Sequence, residues 1–206
     1  MRSFLRQGVL LLALVFASSC ATTQPAGPAY DVLILNGRIV DGSGAPAYDG
    51  DIAVSGDKVV KIGDLAAASA SRIIDARGSI VAPGFVDLHN HADRNIEASP
   101  AMENYLHQGV TTILTGNCGN SPVHLGEYFQ TVEDTGIALN LAILIGHNAV
   151  RREVMGNEDR APTADEQERM DALVKAAMDD GAFGMSTGLI YLPGTYSETD
   201  EVVSLA

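Results

Sequence analysis

The sequence predicts an α/β protein that starts with an all-β segment. Residues 30–82 contain short apolar runs separated by turn residues, which is typical of β-strands. Beyond Pro83-Gly84, strand-like runs alternate with helical patterns. Such alternation indicates a parallel sheet whose strands are joined by crossover helices.

Three strand–turn–strand patterns make up the all-β segment. Residues 30–40 contain a hairpin signal at Asn36-Gly37, residues 51–62 turn at a Ser-Gly-Asp sequence, and residues 72–81 repeat the arrangement. We therefore expect a small β-sandwich or an open sheet over residues 30–82. Its short edge strands need a partner to cover them.

Residues 83–206 predict about four strand–helix units. The strands are expected over residues 85–91, 110–115, 137–145 and 183–189. The helices are expected to start at Ser99-Pro100, near residue 123 and at a Thr163–Glu166 capping box, and to end at Gly109, Gly136 and Gly181. A (β/α)₈ barrel has eight such units, so this region corresponds to an incomplete barrel.

The N-terminus predicts export. Two arginines precede the apolar run of residues 8–17, and small residues lead to Cys20 in a pattern that resembles a bacterial lipobox. The run is too short for a transmembrane helix, which needs about 20 residues. We expect a lipoprotein signal peptide over residues 1–19, lipidation of Cys20 and a linker over residues 20–29. The protein would lie in the bacterial periplasm or outer membrane, in contact with lipid only through this anchor.

The net charge and the two cysteines limit the classes of function that the protein can have. The 206 residues carry 13 Lys and Arg against 26 Asp and Glu, a net charge of −13. Such acidity argues against nucleic-acid binding. Cys20 and Cys118 are the two cysteines, and an oxidising compartment would allow a disulfide between them. If Cys20 carries a lipid, Cys118 is a single thiol that a metal ion could hold.

Three side chains are candidate metal ligands. His89 and His91 lie at the end of the first predicted barrel strand, where residues two apart share a face. Active sites of barrels lie at this end of the strands. Cys118 follows the second strand between glycines that allow close backbone approach, and a thiolate is a strong zinc ligand.

Four other histidine or tyrosine residues lie near the ends of predicted strands or helices. His147 follows the third strand and is a candidate to orient a ligand or contact substrate; alternatively it is a hydrogen-bonded structural histidine. Tyr191 follows the fourth strand and could offer its phenol to a substrate carbonyl, or pack as a loop aromatic. His107 and His124 lie on predicted helices and are expected to be structural or solvated.

Four segments resemble the D-aminoacylase (N-acyl-D-amino-acid deacylase) branch of the amidohydrolase superfamily in order and spacing. They are APGFVDLHNHAD, QGVTTILTGNCGNSP, LIGHNAVR and GAFGMSTGLIYLPG. The run YDVLILNGRIVDGSGAPAYDGDIAV is similar to the N-terminal segment of that family, so the resemblance covers Tyr30 to Ala206. It implies a metal-dependent amidohydrolase TIM barrel that hydrolyses the amide bond of N-acyl-D-amino acids with zinc.

The resemblance also implies roles for the candidate residues. His89 and His91 would belong to one metal position, and Cys118 would bind the tightly held zinc ion, with a bridge to a second metal ion left open. Tyr191 would polarise the amide or bind substrate. Many relatives use a carbamylated lysine as bridge, but the three lysines here lie in the β segment or on a helix. Cys118 is the available substitute.

The family pattern requires two further histidines and an aspartate on later strands. Asp93 is a poor substitute for that aspartate, so we expect this chain to be an N-terminal fragment that is inactive alone. Its partner would be the missing C-terminal half-barrel or a second copy. Two other functions stay open: a cyclic-amide hydrolase of the hydantoinase or dihydroorotase type, and a non-catalytic half-barrel lipoprotein that acts as a binding module.

Overall fold

The computed structural model describes residues 29–206. The predicted signal peptide, Cys20 and almost all of the predicted linker lie outside these residues. The chain divides into two compact units, the first ending at Ala82 and the second running from Pro83 to Ala206. None of the helices in residues 29–206 has the length and apolar composition that a bilayer span requires.

The first unit is one five-stranded sheet. Its strands are β1 (Tyr30–Ile39), β2 (Tyr48–Ser55), β3 (Lys58–Gly63), β4 (Ala70–Asp75) and β5 (Ile80–Val81). β1 pairs antiparallel with β2 and parallel with β4 and β5, and β3 pairs antiparallel with β2. Of the two arrangements predicted for residues 30–82, the β-sandwich is therefore wrong and the open sheet is observed, because all strands that the structure describes in this unit join a single sheet.

Asn36-Gly37 forms a bulge instead of the predicted hairpin. Asn36 has a φ of 56°, and the register between β1 and β2 shifts between Ile34 and Gly37. The buried carboxylate of Asp51 accepts hydrogen bonds of 2.8 Å from the backbone N–H groups of Asn36 and Leu65. Because Asp51 satisfies the N–H group at the bulge, β1 continues through it as one strand.

The other two hairpin predictions have different outcomes. The hairpin over residues 51–62 is confirmed, since β2 and β3 pair antiparallel across a turn at Gly56-Asp57. The strands predicted within residues 72–81 also form. They do not pair with each other, because each lies parallel to β1.

The second unit alternates strands and helices. Its strands are β6 (Phe85–Asp87), β7 (Val110–Thr115), β8 (Asn140–Ile143), β9 (Ile145–Gly146) and β10 (Met185–Ser186). Its helices are α1 (Glu103–Leu106), α2 (Leu125–Thr135), α3 (His147–Met155), α4 (Ala164–Asp180) and α5 (Thr199–Leu205). β6, β7 and β8 pair in parallel in that order, and β9 pairs in parallel with β10. This arrangement confirms the predicted α/β class.

The strand predicted over residues 137–145 is divided at Leu144. The N–H group of Leu144 donates to the carbonyl of Thr115 at the end of β7, whereas the N–H group of Ile145 donates to the carbonyl of Gly184 beside β10. The chain thus changes its pairing partner within one apolar run. A hydrophobic pattern shows that such a run is buried, but not which neighbour each residue pairs with.

Two other predicted elements are shorter in the structure. The helix predicted from Ser99-Pro100 begins only at Glu103, because Met102 before it has a left-handed φ of 47°. The strand predicted over residues 183–189 is reduced to the two residues of β10. Helices α3 and α5 were not predicted.

The capping box at the start of α4 is confirmed. The hydroxyl of Thr163 accepts a hydrogen bond from the N–H group of Glu166 at 3.3 Å, and the Glu166 carboxylate accepts one from the N–H group of Thr163 at 2.8 Å. Hydrogen bonds from Arg160 and then from Thr163 lower the pKa of Glu166. The carboxylate therefore stays negative at the positive end of the helix dipole.

The second unit has a mixed core and an exposed apolar surface. Its main core combines residues of strands and helices: Leu125, Ile143, Ile145, Val150, Met155, Met170, Val174, Ala177, Ala182 and Leu205. In contrast, Phe85, Phe183 and Ile190 are 67%, 77% and 84% exposed. Large apolar side chains at such exposure mark a surface that other chain segments commonly cover.

Candidate metal centre

His89 and His91 lie in a loop directly after β6. The strand ends at Asp87 and not at His91 as predicted, so strand alternation is not what places the two imidazoles. The buried side chain of Asn90 holds this loop by donating to the backbone carbonyls of Asp87 and Leu114, each at 3.3 Å. The imidazole rings lie with their centroids 5.9 Å apart and their planes at 79°.

Cys118 lies in a tight turn that follows β7. Gly116, Cys118 and Gly119 all have left-handed φ values, of 75°, 58° and 73°. A Cβ atom on Gly116 would lie 2.1 Å from the carbonyl oxygen of Leu144, so this position requires glycine. Cysteine rarely adopts such a φ, and residues held in this region are concentrated at functional sites.

Asn117 connects the cysteine turn to the histidine loop. Its side-chain amide donates to the carbonyl of Asn90 at 3.3 Å and to the carbonyl of Leu114 at 2.9 Å. These bonds hold the loop and the turn together at one edge of the parallel sheet.

The three predicted ligands meet at that edge. One ligand atom from each of His89, His91 and Cys118 lies within 4.8 Å of the other two, and His89 Nε2 is 3.3 Å from Cys118 Sγ. Ligands of a tetrahedral zinc ion, bound at about 2.0–2.3 Å, lie about 3.6 Å apart. Two imidazoles and a thiolate at this spacing therefore fit zinc in donor chemistry and in distance.

Tyr191 shares a cavity with two of these ligands. The cavity, of about 350 Å³, is lined by His91, Arg94, Cys118, Asn120 and Tyr191. The Tyr191 side chain is 51% exposed, so its phenol is available to a molecule that enters. Arg94 adds a positive charge to the cavity wall.

His147 has the environment of a hydrogen-bonded buried histidine, which is the second of the two interpretations given for this residue. It is fully buried at the start of α3 and does not line this cavity. Its Nε2 is 2.9 Å from the carboxylate of Glu201, which also binds Arg151. This position makes His147 part of a buried polar network. His124, expected to be structural or solvated, pairs with Glu153 on the surface at 2.9 Å.

Acidic groups near the histidine loop have structural partners. Asp93 accepts a hydrogen bond from the hydroxyl of Thr115 and is not part of the ligand cluster. Burial raises the pKa of Tyr105, and the carboxylates of Asp87 and Asp93 raise it further. The Tyr105 phenol therefore keeps its proton at neutral pH.

Sequence reasoning missed the polar residues that support the ligands. Asn90 and Asn117 each lie directly beside a predicted ligand, and Asn120 and Arg94 line the cavity. Buried amides next to metal ligands are a usable sequence signal, because ligand loops need side-chain hydrogen bonds where the sheet ladder ends.

Residues 72–202 match the sequence profile of the amidohydrolase family. An N-acyl-D-aspartate deacylase from Alcaligenes xylosoxydans xylosoxydans is 36% identical over an alignment of 208 positions, gaps included. The alignment covers 90% of this chain and 42% of that enzyme. This chain also resembles N-acyl-D-glutamate deacylase from Bordetella bronchiseptica, solved with zinc and a phosphonate inhibitor. That structure superposes on this chain with a TM-score of 0.81 and 36% sequence identity. The match covers 86% of this chain and 42% of the Bordetella chain.

A D-aminoacylase structure with a binuclear metal centre has a TM-score of 0.82 and 35% identity, over 85% of this chain and 42% of its own. The chain thus spans less than half the length of these relatives. The family match still covers more than half of the chain and includes His89, His91, Cys118 and Tyr191. As its sequence motifs predicted, the chain belongs to the amidohydrolase family.

Proposed function

We propose that this protein is a zinc-dependent hydrolase that cleaves the amide bond of N-acyl-D-amino acids. The observation that carries the proposal is the convergence of His89, His91 and Cys118. The similarity to deacylases of N-acyl-D-aspartate and N-acyl-D-glutamate supports this substrate class. The zinc-bound relative supports the choice of metal.

Each side chain of the site has a proposed role. His89, His91 and Cys118 hold the metal ion, and a zinc ion held there supplies a Lewis acid for amide hydrolysis. Tyr191 donates its phenolic proton in a hydrogen bond to the substrate carbonyl, next to the ligands in the same cavity. The guanidinium of Arg94 attracts an anionic substrate to this cavity.

The fold proposal is more specific than the α/β class. We infer that β6 to β10 belong to a (β/α)₈ barrel, with the metal ligands at the carboxyl ends of its strands. The parallel pairing of these strands supports it. The exposure of Phe85 and Phe183 also supports it, because further barrel strands, from a C-terminal half-barrel or a second copy, would cover such side chains.

Hydrolysis also requires a carboxylate that moves a proton to the leaving amine. Among residues 29–206, the ligand cluster contains no carboxylate. We therefore expect zinc-loaded residues 20–206 to show no turnover, whereas the gene product purified from its own cells hydrolyses N-acetyl-D-aspartate or N-acetyl-D-glutamate. The measurement is release of the free amino acid, with the L enantiomers and hydantoin as parallel substrates.

Three outcomes would contradict parts of this proposal. Turnover by residues 20–206 would show that the ligand cluster alone supports hydrolysis. Hydantoin cleavage by the native gene product would favour a cyclic-amide hydrolase. A native gene product that binds zinc and hydrolyses none of these substrates would favour a binding module.

We also infer that the protein is exported and lipidated on Cys20. The lipobox-like sequence that ends at Cys20 supports this inference. Labelled palmitate fed to bacteria that express the chain is expected to be incorporated into it, and the Cys20→Ser variant is expected to incorporate none. Equal labelling of both proteins would exclude lipidation at Cys20.

A further inference from the structure

Helix α3 contacts the segment that carries Tyr191. Asn148 and Arg152 are four residues apart and therefore lie on the same face of α3. The Asn148 amide donates to the carbonyls of Gly188 and Tyr191, at 3.0 and 3.2 Å. Arg152 donates to the carbonyl of Leu192 at 2.8 Å. Two side chains of α3 thus hold three carbonyls of residues 188–192, which we call the Tyr191 loop.

The same part of α3 also contacts the cysteine turn. Arg152 donates to the side-chain oxygen of Asn120 at 3.3 Å, and the Asn120 amide donates to the carbonyl of Cys118 at 3.2 Å. The N–H group of Ala149 donates to the carbonyl of Gly119 at 3.0 Å. Helix α3 therefore joins the turn that carries a metal ligand to the loop that carries the phenol.

The turn and the loop also touch directly. A Cβ atom on Gly188 would lie 2.1 Å from the carbonyl oxygen of Cys118, and one on Gly119 would lie 2.3 Å from Asn148 Oδ1. Glycine is the residue that allows these approaches. The position of the Tyr191 loop relative to Cys118 is consequently defined at short range.

Asn148 makes these contacts at a cost to its own hydrogen bonding. Its side chain is fully buried, and its Oδ1 atom has no hydrogen-bond partner among the described residues. A buried acceptor without a partner is destabilising. Within residues 29–206, the side-chain hydrogen bonds of Asn148 are therefore the two that its amide donates to the loop.

We propose that Asn148 and Arg152 are positioning residues that fix the Tyr191 loop on the cysteine turn and so set the phenol beside the metal ligands. The catalytic importance of the Tyr191 phenol rests on the proposed function. The position of the phenol does not, because the hydrogen bonds of this chain define it. Neither residue touches the ligand cluster. Their effect on the site acts through the loop carbonyls and through Asn120.

The test is nuclear magnetic resonance on the full 206-residue chain with labelled tyrosine rings and glycines. The Gly188 nitrogen lies 2.9 Å from the site of a Cβ atom on Gly119, which predicts a nuclear Overhauser effect between the Gly188 amide proton and the Gly119 α-protons, across the contact between the loop and the turn. Tyr191→Phe assigns the Tyr191 ring signals. This readout needs no metal and no turnover, so it is independent of whether the proposed hydrolase function holds.

Asn148→Asp keeps the side-chain shape but cannot donate to the two carbonyls. We expect it to abolish the Overhauser effect, and Arg152→Gln to weaken it at least about two-fold. The matched controls, Asn140→Asp and Arg169→Gln, are expected to leave it unchanged; Asn140 donates to the carbonyl of Thr111, at the start of β7. If Asn148→Asp does not fold, the exposed Arg152 decides the test.

A second readout follows addition of Co²⁺, whose unpaired electrons shift the Tyr191 ring signals according to their position relative to the metal. The positioning variants are expected to change this shift and the controls to preserve it. If Asn148→Asp and Arg152→Gln both fold and both retain the wild-type Overhauser effect, the proposal is wrong. A purely structural role would lower stability and leave both signals of the folded protein as they are.

Discussion

Substituting Cys118 with serine is expected to weaken zinc binding by the chain about 100-fold or more. Loss of a group that merely orients a ligand costs about 10–100-fold in metal affinity, so loss of the ligand itself should cost at least as much. The Cys118 sulfur lies 3.3 Å from His89 Nε2, and a serine hydroxyl is a much poorer zinc ligand at this position. The measurement is competition for Zn²⁺ with a chromophoric chelator.

The sequence offers a matched control for this prediction. Cys20→Ser removes the other cysteine and should leave zinc affinity unchanged. For the imidazoles, His89→Gln should weaken binding, whereas His124→Gln, which alters a surface pair with Glu153, should not. If Cys118→Ser binds zinc within two-fold of the native chain, the thiolate is not a ligand and the cluster is a fortuitous grouping.

The metal ligands could be proposed from sequence because their chemistry is local. His89 and His91 are rare residue types separated by one position, and Cys118 lies between glycines. The reason they converge was only partly predictable. Both ligand segments lie beyond the strand ends, and the bonds of Asn90 and Asn117 to backbone carbonyls bring them together. Those bonds connect residues about 25 positions apart, which no periodic pattern indicates.

The fold, like the metal site, could be predicted from the sequence only where the pattern is local. Long patterns with clear ends, such as β7 and the capped helix α4, matched the structure. The Asn36-Gly37 pair did not, because the distant carboxylate of Asp51 converted a hairpin signal into a bulge. No sequence pattern distinguished Arg151 and Glu201 from surface charges, but tertiary packing buries both. Local patterns predict elements, whereas long-range partners decide their role.

Helix α3 is anchored by that buried charge network. Arg151 and Glu201 form an ion pair, and their side chains are 0% and 1% exposed, respectively. Arg151 also donates to the carbonyl of Arg160 at 2.7 Å, and Ser197 donates to Glu201 at 3.0 Å. Because Arg151 lies between Asn148 and Arg152 in α3, the pair fixes the helix that holds the Tyr191 loop.

Glu201→Gln is expected to lower the free energy of unfolding of the second unit by about 3–5 kcal/mol, because it leaves the buried Arg151 charge uncompensated. The matched control, Asp179→Asn, breaks an exposed pair with Lys175 and should cost less than about 1 kcal/mol. Urea unfolding followed by the helical circular dichroism signal measures the difference, because every helix of the described residues lies in the second unit.

The double variant Arg151→Met with Glu201→Leu separates charge burial from packing. Replacing both partners of a buried pair by apolar residues is often neutral, so the double variant should be more stable than Glu201→Gln. If Glu201→Gln costs under about 1 kcal/mol, water reaches the pair and the charge is not truly buried. If the double variant is no more stable than the single one, hydrogen bonds to Ser197 and to the Arg160 carbonyl carry the stability.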